Sequence, residues 1–342
     1  MARTKIILIT DAWEPQVNGV VTTYKNIVRH LPKDVSVDVI HPAMFDYLPF
    51  TLYKGIEVPL CSFNRMYDLI ERRTNHFKMQ GYNVYYHIAT EGVLGYKAKR
   101  VLDTMKREYT SAYHTKFPEF LKLMFGVPLA VTSWYFDWFH KKSKVVMCSS
   151  ESDAVTHINW NTVVLGKGYA SHFTFQDSPY KRDIDLLYVG RVSNEKNIED
   201  FCEIQLDGWT EYGAKVTKTV VGDGPARAAL EKKYPDVKFV GYKFGKELAR
   251  YYQRNDVCVF PSKVDTYGIT ILESMACGTP VAGYPVTGPI DQIVNGVNGF
   301  VNNDLDFAIG QCLLLDRMQV AKSVEHISWE RSAEQFVKFI IS

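Results

Sequence analysis

The sequence has no run of the ~18–20 consecutive apolar residues that a membrane-spanning helix requires. Its first apolar run, Ile6 to Ile9, stops before Asp11. That is too short for a signal-peptide core and reads as a buried strand. No G-x-G-x-x-G and no G-x-x-x-x-G-K-[ST] is found. A nicotinamide dehydrogenase or a P-loop kinase would therefore lack its phosphate loop. The six cysteines (Cys61, Cys148, Cys202, Cys258, Cys277 and Cys312) form no C-x-x-C pair. They support neither a zinc site nor a disulfide frame, and free buried thiols in a reducing cytosol are expected. Internal repeats and low-complexity tracts are missing too. Charge of either sign is scarce in sum: 40 Lys+Arg against 38 Asp+Glu give +2. Such a balance argues against a dedicated nucleic-acid coat, though not against a local basic face.

What is present is an ordinary globular composition, 46% hydrophobic and 23% charged. At roughly 100–200 residues per domain, 342 residues suggest two domains. Short apolar runs at 5–9, 35–40, 84–89, 109–113 and 144–148 read as strands. A second set falls at 186–189, 216–221, 237–240, 257–260 and 280–283. Helix-like stretches lie between them, at 20–31, 92–107, 225–233, 245–253 and 268–277. Strands without polar alternation are buried on both faces, which means parallel sheets covered by helices. The pattern occurs twice, with a break near 167–185 punctuated by Gly168, Pro179 and Lys181-Arg182-Asp183. The expected fold class is α/β, with two Rossmann-like domains facing a cleft. The expected limits are 1–170, 171–325 and a terminal helix over 326–342.

In such sheets ligands sit where strands end and helices begin. After the first strand, Asn18-Gly19 makes a tight turn before a helix, where backbone N–H groups can meet a phosphate. After strand 186–189, Arg191 and Lys196 place two cations that suit a departing diphosphate; a solvated charged loop is the plain alternative. Gly222-Asp223-Gly224-Pro225 is a glycine-rich turn with proline at a helix start. Gly268 opens a helix whose first-turn N–H groups suit an anion. Glu273 follows about five residues, ~7.5 Å, along that helix, within reach of a ribose beside the anion. On pattern alone, a lone helical Glu is more often solvated, and a lone His at a strand end, His114, more often structural.

Together these loops resemble a retaining glycosyltransferase with the GT-B fold, of glycosyltransferase family 4 (glycosyltransferases group 1). The run from Val259 to Gly278, VFPSKVDTYGITILESMACG, is similar to the family's E-x(7)-E signature, with Asp265 at the first acid and Glu273 at the second. GRVSNEKN resembles the family's G-R-x(4)-K diphosphate loop, VGDGP its following turn, and PQVNGV its N-terminal glycine loop. His87 to Gly92, Leu94-Gly95 and Ser111 to Glu119 are similar to one subgroup. That subgroup holds GDP-mannose-dependent α-mannosyltransferases and sulfoquinovosyl- and glycosyl-diacylglycerol synthases. The resemblance spans nearly the whole chain and is weakest at 44–80 and 198–215.

The resemblance implies that the second domain binds a nucleotide sugar, UDP- or GDP-linked. Glu273 would accept the ribose hydroxyls, backbone at Tyr242 and Lys243 would meet the base, and Arg191 and Lys196 would neutralise the diphosphate. Gly222 and Tyr267 belong to the donor-site motifs. Backbone N–H groups at Gly19, Gly268 and Ile269 would assist, Asp265 would hold donor-sugar hydroxyls, and His114 would project toward the sugar. No metal is expected: Asp183-x-Asp185 precedes a strand and Asp304-x-Asp306 begins a helix. Cations at the leaving group would take over that task. The terminal helix would cross back to the first domain, with hinges near 167–185 and 320–328.

For the acceptor, the subgroup resemblance implies a lipid such as diacylglycerol, and a cytoplasmic protein able to meet the inner face of a membrane. Residues 117–144 mix aromatics with Lys122, Lys141, Lys142 and Lys144, which suits either an anionic lipid surface or a helical core with a basic end. A hydroxymethylated nucleic-acid base and a polysaccharide stay open as acceptors. So does a catalytically silent nucleotide-sugar binder. The net charge divides unevenly: residues 1–175 hold 21 Lys+Arg and 15 Asp+Glu, and 176–342 hold 19 and 23. The small total is thus a cancellation between a basic half and an acidic half.

Overall fold

A computed structural model describes residues 3–16, 18–48, 58–114, 118, 122, 126–157, 159–177, 183–210, 213–265 and 267–342. They form two compact units, Met1–Lys167 with Trp329–Ser342, and Gly168–Ser328. The first limit falls at 167 because Lys167 is buried with unit 1, whereas Tyr169, Ala170 and Phe173 pack into the core of unit 2. Ile327 packs there too, which carries the second limit to 328.

Among the described residues of unit 1, one six-stranded sheet is built from β1 (Arg3–Ile9), β2 (Val35–Ile40), β3 (Tyr82–Ile88), β4 (Thr110–Tyr113), β5 (Val146–Cys148) and β6 (Thr162–Val164). The order is β2-β1-β3-β4-β5-β6, and every pairing is parallel. Ile6 to Ile9 are all fully buried. Ile7 and Ile9 join one core cluster and Ile6 and Leu8 the other, so the run serves both faces of the sheet. Helix Trp329–Ile341 covers one face, placing Ala333, Phe336 and Ile340 against Ile6, Leu8, Tyr24 and Ile27.

Unit 2 repeats the plan with β7 (Ile184–Val189), β8 (Val216–Val221), β9 (Val237–Phe239), β10 (Val257–Phe260), β11 (Val281–Gly283) and β12 (Gly299–Val301). Their order is β12-β11-β10-β7-β8-β9, again all parallel. The chain winds one way from β7 to β9 and the other way from β10 to β12. The switch point therefore lies between β7 and β10, where a crevice outside the strands' carboxyl ends accepts a ligand. Both strands end in the loops singled out by sequence. No helix among the described residues is long and apolar enough to cross a membrane.

Candidate active site

At the switch point of unit 2 the loops are drawn together by glycine. Gly222 has φ +143°, and a Cβ there would lie 1.8 Å from the carbonyl oxygen of Gly190. A Cβ on Gly224 would lie 2.2 Å from the carbonyl oxygen of Val192. Only glycine lets the β8 turn approach the β7 loop this closely. The loop is tied further by the buried hydroxyl of Tyr188, which donates to the carbonyl oxygen of Arg191 at 2.9 Å. Arg191 itself is exposed.

Lys196 and Asp265 meet across this point, Nζ to Oδ2 at 2.6 Å, with both side chains part-buried. The next residue, Asn197, adopts a left-handed conformation at φ 53°. Its amide donates to Asp200 Oδ2 at 2.5 Å and to the carbonyl oxygen of Pro261 at 3.4 Å. Asp200 also accepts from Lys263 at 3.2 Å and from the Tyr284 hydroxyl at 2.5 Å. These hydrogen bonds hold its carboxyl below the usual range, against the opposing pull of burial. The cation of the β7 loop is thus pinned to the β10 loop by its own ion pair and by an adjoining polar cluster.

Helix Ile269–Ala276 begins at Gly268, whose φ of +81° favours glycine. Its first intrahelical bond runs from Ile271 N to the Gly268 carbonyl at 2.9 Å, so the amide of Ile269 belongs to the open first turn. Gly288 and the Gln292 amide close over Tyr267, the latter donating to the Tyr267 carbonyl. Glu273 is half-buried rather than solvated. Burial lifts its carboxyl to about 7, partly offset by the Tyr252 hydroxyl, which donates to Oε2 at 3.1 Å. Tyr242 is 51% exposed, and its hydroxyl donates to the Asp223 carbonyl at 3.2 Å. Beside it Lys243 pairs with Glu247 at 2.7 Å.

Gly19 and His114 belong to unit 1. Gly19 is exposed at the start of helix Gly19–Arg29, capped by Asn18 Oδ1, which accepts from Val21 N at 3.0 Å. His114 follows β4 but is buried, 8% exposed. Its Nδ1 lies 3.1 Å from Ser149 Oγ and its Nε2 2.8 Å from the Tyr24 hydroxyl. The ring expected to project toward the sugar is thus held from both sides inside unit 1. Burial and the nearby Lys167 push its pKa well down, so the ring is neutral. Tyr24 lies on the helix that Gly19 opens, so these two candidates share one structural element.

Other polar groups were not among the site residues expected from sequence. Asp11 accepts from Leu94 N at 2.7 Å, Gly95 N at 3.2 Å and Thr90 Oγ1 at 2.9 Å, capping helix Val93–Thr104 from a distant part of the chain. Gly92 leaves room for it, since a Cβ there would lie 2.5 Å from the Asp11 carboxyl carbon. Glu91 is buried beside His140, Oε1 to Nε2 at 3.3 Å. Burial lifts the acid to about 8 and depresses the imidazole to about 3, so the pair is neutral at pH 7. Of the D-x-D pairs, Asp304 caps helix Leu305–Cys312 and Asp183 accepts from Lys215 N. All six cysteines are buried and unbridged. Of the aromatic-basic stretch, 115–117, 119–121 and 123–125 lie outside the described residues. Helix Leu129–His140 divides its apolar side chains: Phe136 and Phe139 are buried, while Val131 and Trp134 are exposed.

Residues 183–315 match the family model of Glycosyl transferases group 1. The GDP-mannose-dependent alpha-mannosyltransferase of Corynebacterium glutamicum is 27% identical over 333 residues, covering 89% of this chain and 78% of that one. The alpha-monoglucosyldiacylglycerol synthase of Streptococcus pneumoniae is 26% identical over 381 aligned residues, covering 98% and 84%. In fold, sucrose-phosphate synthase from Thermosynechococcus elongatus superposes with a TM-score of 0.72 over 98% of both chains, at 19% identity. Anabaena HepE, solved in complex with UDP, gives 0.69 over 98% of this chain and 99% of that one, at 15% identity. These are GT-B glycosyltransferase folds, and the paired parallel sheets agree with them.

Proposed function

We propose, from the premise that this chain carries a glycosyl transferases group 1 domain on a GT-B fold, that it moves a hexose or related sugar from a nucleoside diphosphate to an acceptor hydroxyl, with retention of configuration and without a metal. The observation that carries this reading is the Lys196–Asp265 pair at the switch point, beside the helix that Gly268 opens. A diphosphate suits Lys196 and Arg191, and the carboxylate released from Lys196 suits sugar hydroxyls. Glu273, one turn further along the same helix, suits the ribose. As the sugar–phosphate bond breaks, negative charge builds on the departing phosphate, and fixed cations lower the barrier only as that charge appears. In a front-face displacement a leaving-phosphate oxygen takes the acceptor proton, so no enzymic nucleophile is needed. The donor screen that tests this is a thermal shift against UDP- and GDP-sugars; at 100 times its dissociation constant a ligand adds about 2.7 kcal/mol. Transfer or slow hydrolysis of the hit, unaffected by EDTA, supports a metal-independent transferase. A hit with neither reaction favours a silent binder, and rescue by Mg²⁺ or Mn²⁺ after EDTA overturns metal independence.

For the acceptor we propose a lipid hydroxyl such as that of diacylglycerol. Support comes from the similarity to the alpha-monoglucosyldiacylglycerol synthase and from helix Leu129–His140, which exposes Val131 and Trp134 and is followed by the exposed Lys141 and Lys142. Unit 1 as a whole carries 23 Lys+Arg against 17 Asp+Glu. Binding to vesicles of anionic lipid, weakened by salt and by Trp134→Ala, is the expected result. Salt-sensitive binding to duplex DNA instead would favour a nucleic-acid acceptor, and neither would favour a carbohydrate.

A further inference from the structure

Unit 1 contains a buried line of polar side chains, of which only His114 is among the site residues expected from sequence. Lys167 Nζ lies 3.4 Å from His114 Nδ1. His114 Nε2 lies 2.8 Å from the Tyr24 hydroxyl, which lies 2.7 Å from His87 Nε2. His87 Nδ1 ends the line at Thr110 Oγ1, 2.8 Å away. None of these residues is more than 8% exposed, and Lys167 is 4% exposed. The line is held in place by helix Trp329–Ile341. Phe336 packs edge-on against both Tyr24 and His87, and Gln335 accepts from the amide of Gly166, the residue before Lys167.

An ammonium group has three donors and no acceptor. Next to charged Lys167, His114 Nδ1 must therefore accept, and the ring proton must sit on Nε2. Every other link then has one direction: Nε2–H of His114 donates to Tyr24, the Tyr24 hydroxyl donates to His87 Nε2, and Nδ1–H of His87 donates to Thr110. Without Lys167, Ser149 at 3.1 Å is able to accept from Nδ1–H as readily as to donate to Nδ1, and the order of the line is lost.

We propose that Lys167 is a positioning residue for His114, fixing the ring as its neutral Nε2–H tautomer and so setting the direction of the whole line. The groups bearing on the ring include Lys167, His87 and the Tyr24 hydroxyl, and Glu91 acts on Tyr24. Burial lowers Lys167 to about 7, so the constraint is strongest below neutrality, where an unconstrained histidine would take up a proton. The tautomer assignment stands on geometry alone. Its bearing on transfer rests on the reading that His114 faces the donor sugar.

The test is a long-range ¹H–¹⁵N correlation of the histidine rings in the full ¹⁵N-labelled chain from pH 5.5 to 8.5, with His114→Gln identifying the resonances. The expected wild-type pattern below pH 7, where Lys167 is charged, is Nε2–H, with no titration of the ring down to pH 5.5. Lys167→Met is expected to move the proton to Nδ1, or to raise the His114 midpoint by at least about one pH unit. Lys167→Arg, which keeps donors and adds no acceptor, retains the wild-type pattern. A wild-type Nδ1–H ring below pH 7, a protonated ring at pH 7, or a Lys167→Met spectrum identical to wild type overturns the proposal. If Lys167→Met does not fold, the wild-type pattern and the arginine variant still decide. No donor or acceptor enters the measurement, so its failure is separate from a failure of the proposed activity.

Discussion

Lys196 and Glu273 occupy opposite electrostatic settings, and each makes its own prediction. Lys196 is paired with Asp265 and would trade that partner for a phosphate. Lys196→Ala is expected to lower kcat by roughly 10²–10³ at saturating donor, with the structure retained. Near-full turnover would remove Lys196 from the mechanism. Glu273 is ordinarily a 4.5 acid, lifted to about 7 by burial. If its carboxylate accepts the ribose hydroxyls as proposed, nucleotide affinity should rise as pH increases through about 7, measured by calorimetry at pH 6, 7 and 8. Folding stability runs the other way. A folded-state pKa above the unfolded one favours the protonated fold, so this contribution is present below about 4.5 and is lost as pH rises through about 7. Tyr252→Phe removes the hydroxyl that lowers the acid. The affinity midpoint should then move upward and binding at pH 7 should weaken; a midpoint unmoved by the substitution would show that another group controls it.

Between elements, the closest constraint is the pair of loops after β7 and β8. Gly222→Ala would force a Cβ to 1.8 Å from the Gly190 carbonyl at a φ of +143°. Backbone strain of this kind costs about 1–3 kcal/mol, and the clash adds to it by pushing the phosphate loop off position. The expected outcome is a lower denaturation midpoint for unit 2 together with lost nucleotide binding. Gly208→Ala, where nothing lies within 4 Å, serves as the neutral control. Equal effects from the two substitutions would refute the close-approach argument. The same elements show what a sequence reveals. Runs such as Ile6 to Ile9 were legible because burial on both sheet faces removes polar alternation. The edge strands Thr162–Val164 and Gly299–Val301 were not, since each offers only two apolar residues and both of those are only partly buried. Helix Phe63–Met79 escaped because it buries only Met66, Ile70 and Thr74 on a largely polar sequence. At the site, the eight-residue spacing of Asp265 and Glu273 stood out, but their partners did not. Lys196 reaches Asp265 across 69 positions, and Lys167, set between two glycines, meets His114 across 53. Tertiary pairing of that kind leaves no local pattern.

At the scale of the molecule, unit 2 is one continuous segment, Gly168–Ser328, whereas unit 1 is completed by the last fourteen residues of the sequence, Trp329–Ser342. The amphipathic pattern of that stretch was readable from the residues, whereas the domain it packs on was expected only from the family resemblance, because a helix's apolar stripe does not name its partner. Its Ala333, Phe336 and Ile340 complete the cluster that buries Ile6, Leu8, Tyr24 and Ile27. Fully burying a large apolar side chain is worth about 1.5–3 kcal/mol, so losing Phe336 and Ile340 together with the surfaces they cover removes about 3–6 kcal/mol or more. Whole-domain stabilities are only about 5–15 kcal/mol. A chain ending at Ser328 should therefore lose the cooperative unfolding of unit 1 and keep that of unit 2, whose core clusters contain no residue of the deleted helix. Hydrogen exchange resolves the two. Protection should collapse in Arg3–Ile9 and Tyr82–Ile88 and persist in Ile184–Val189 and Val257–Phe260. Because the donor residues proposed here apart from Gly19 and His114 lie in unit 2, the truncated chain should also retain measurable nucleotide binding while losing transfer. Full protection of Arg3–Ile9 without the helix would show that unit 1 closes its core by other means.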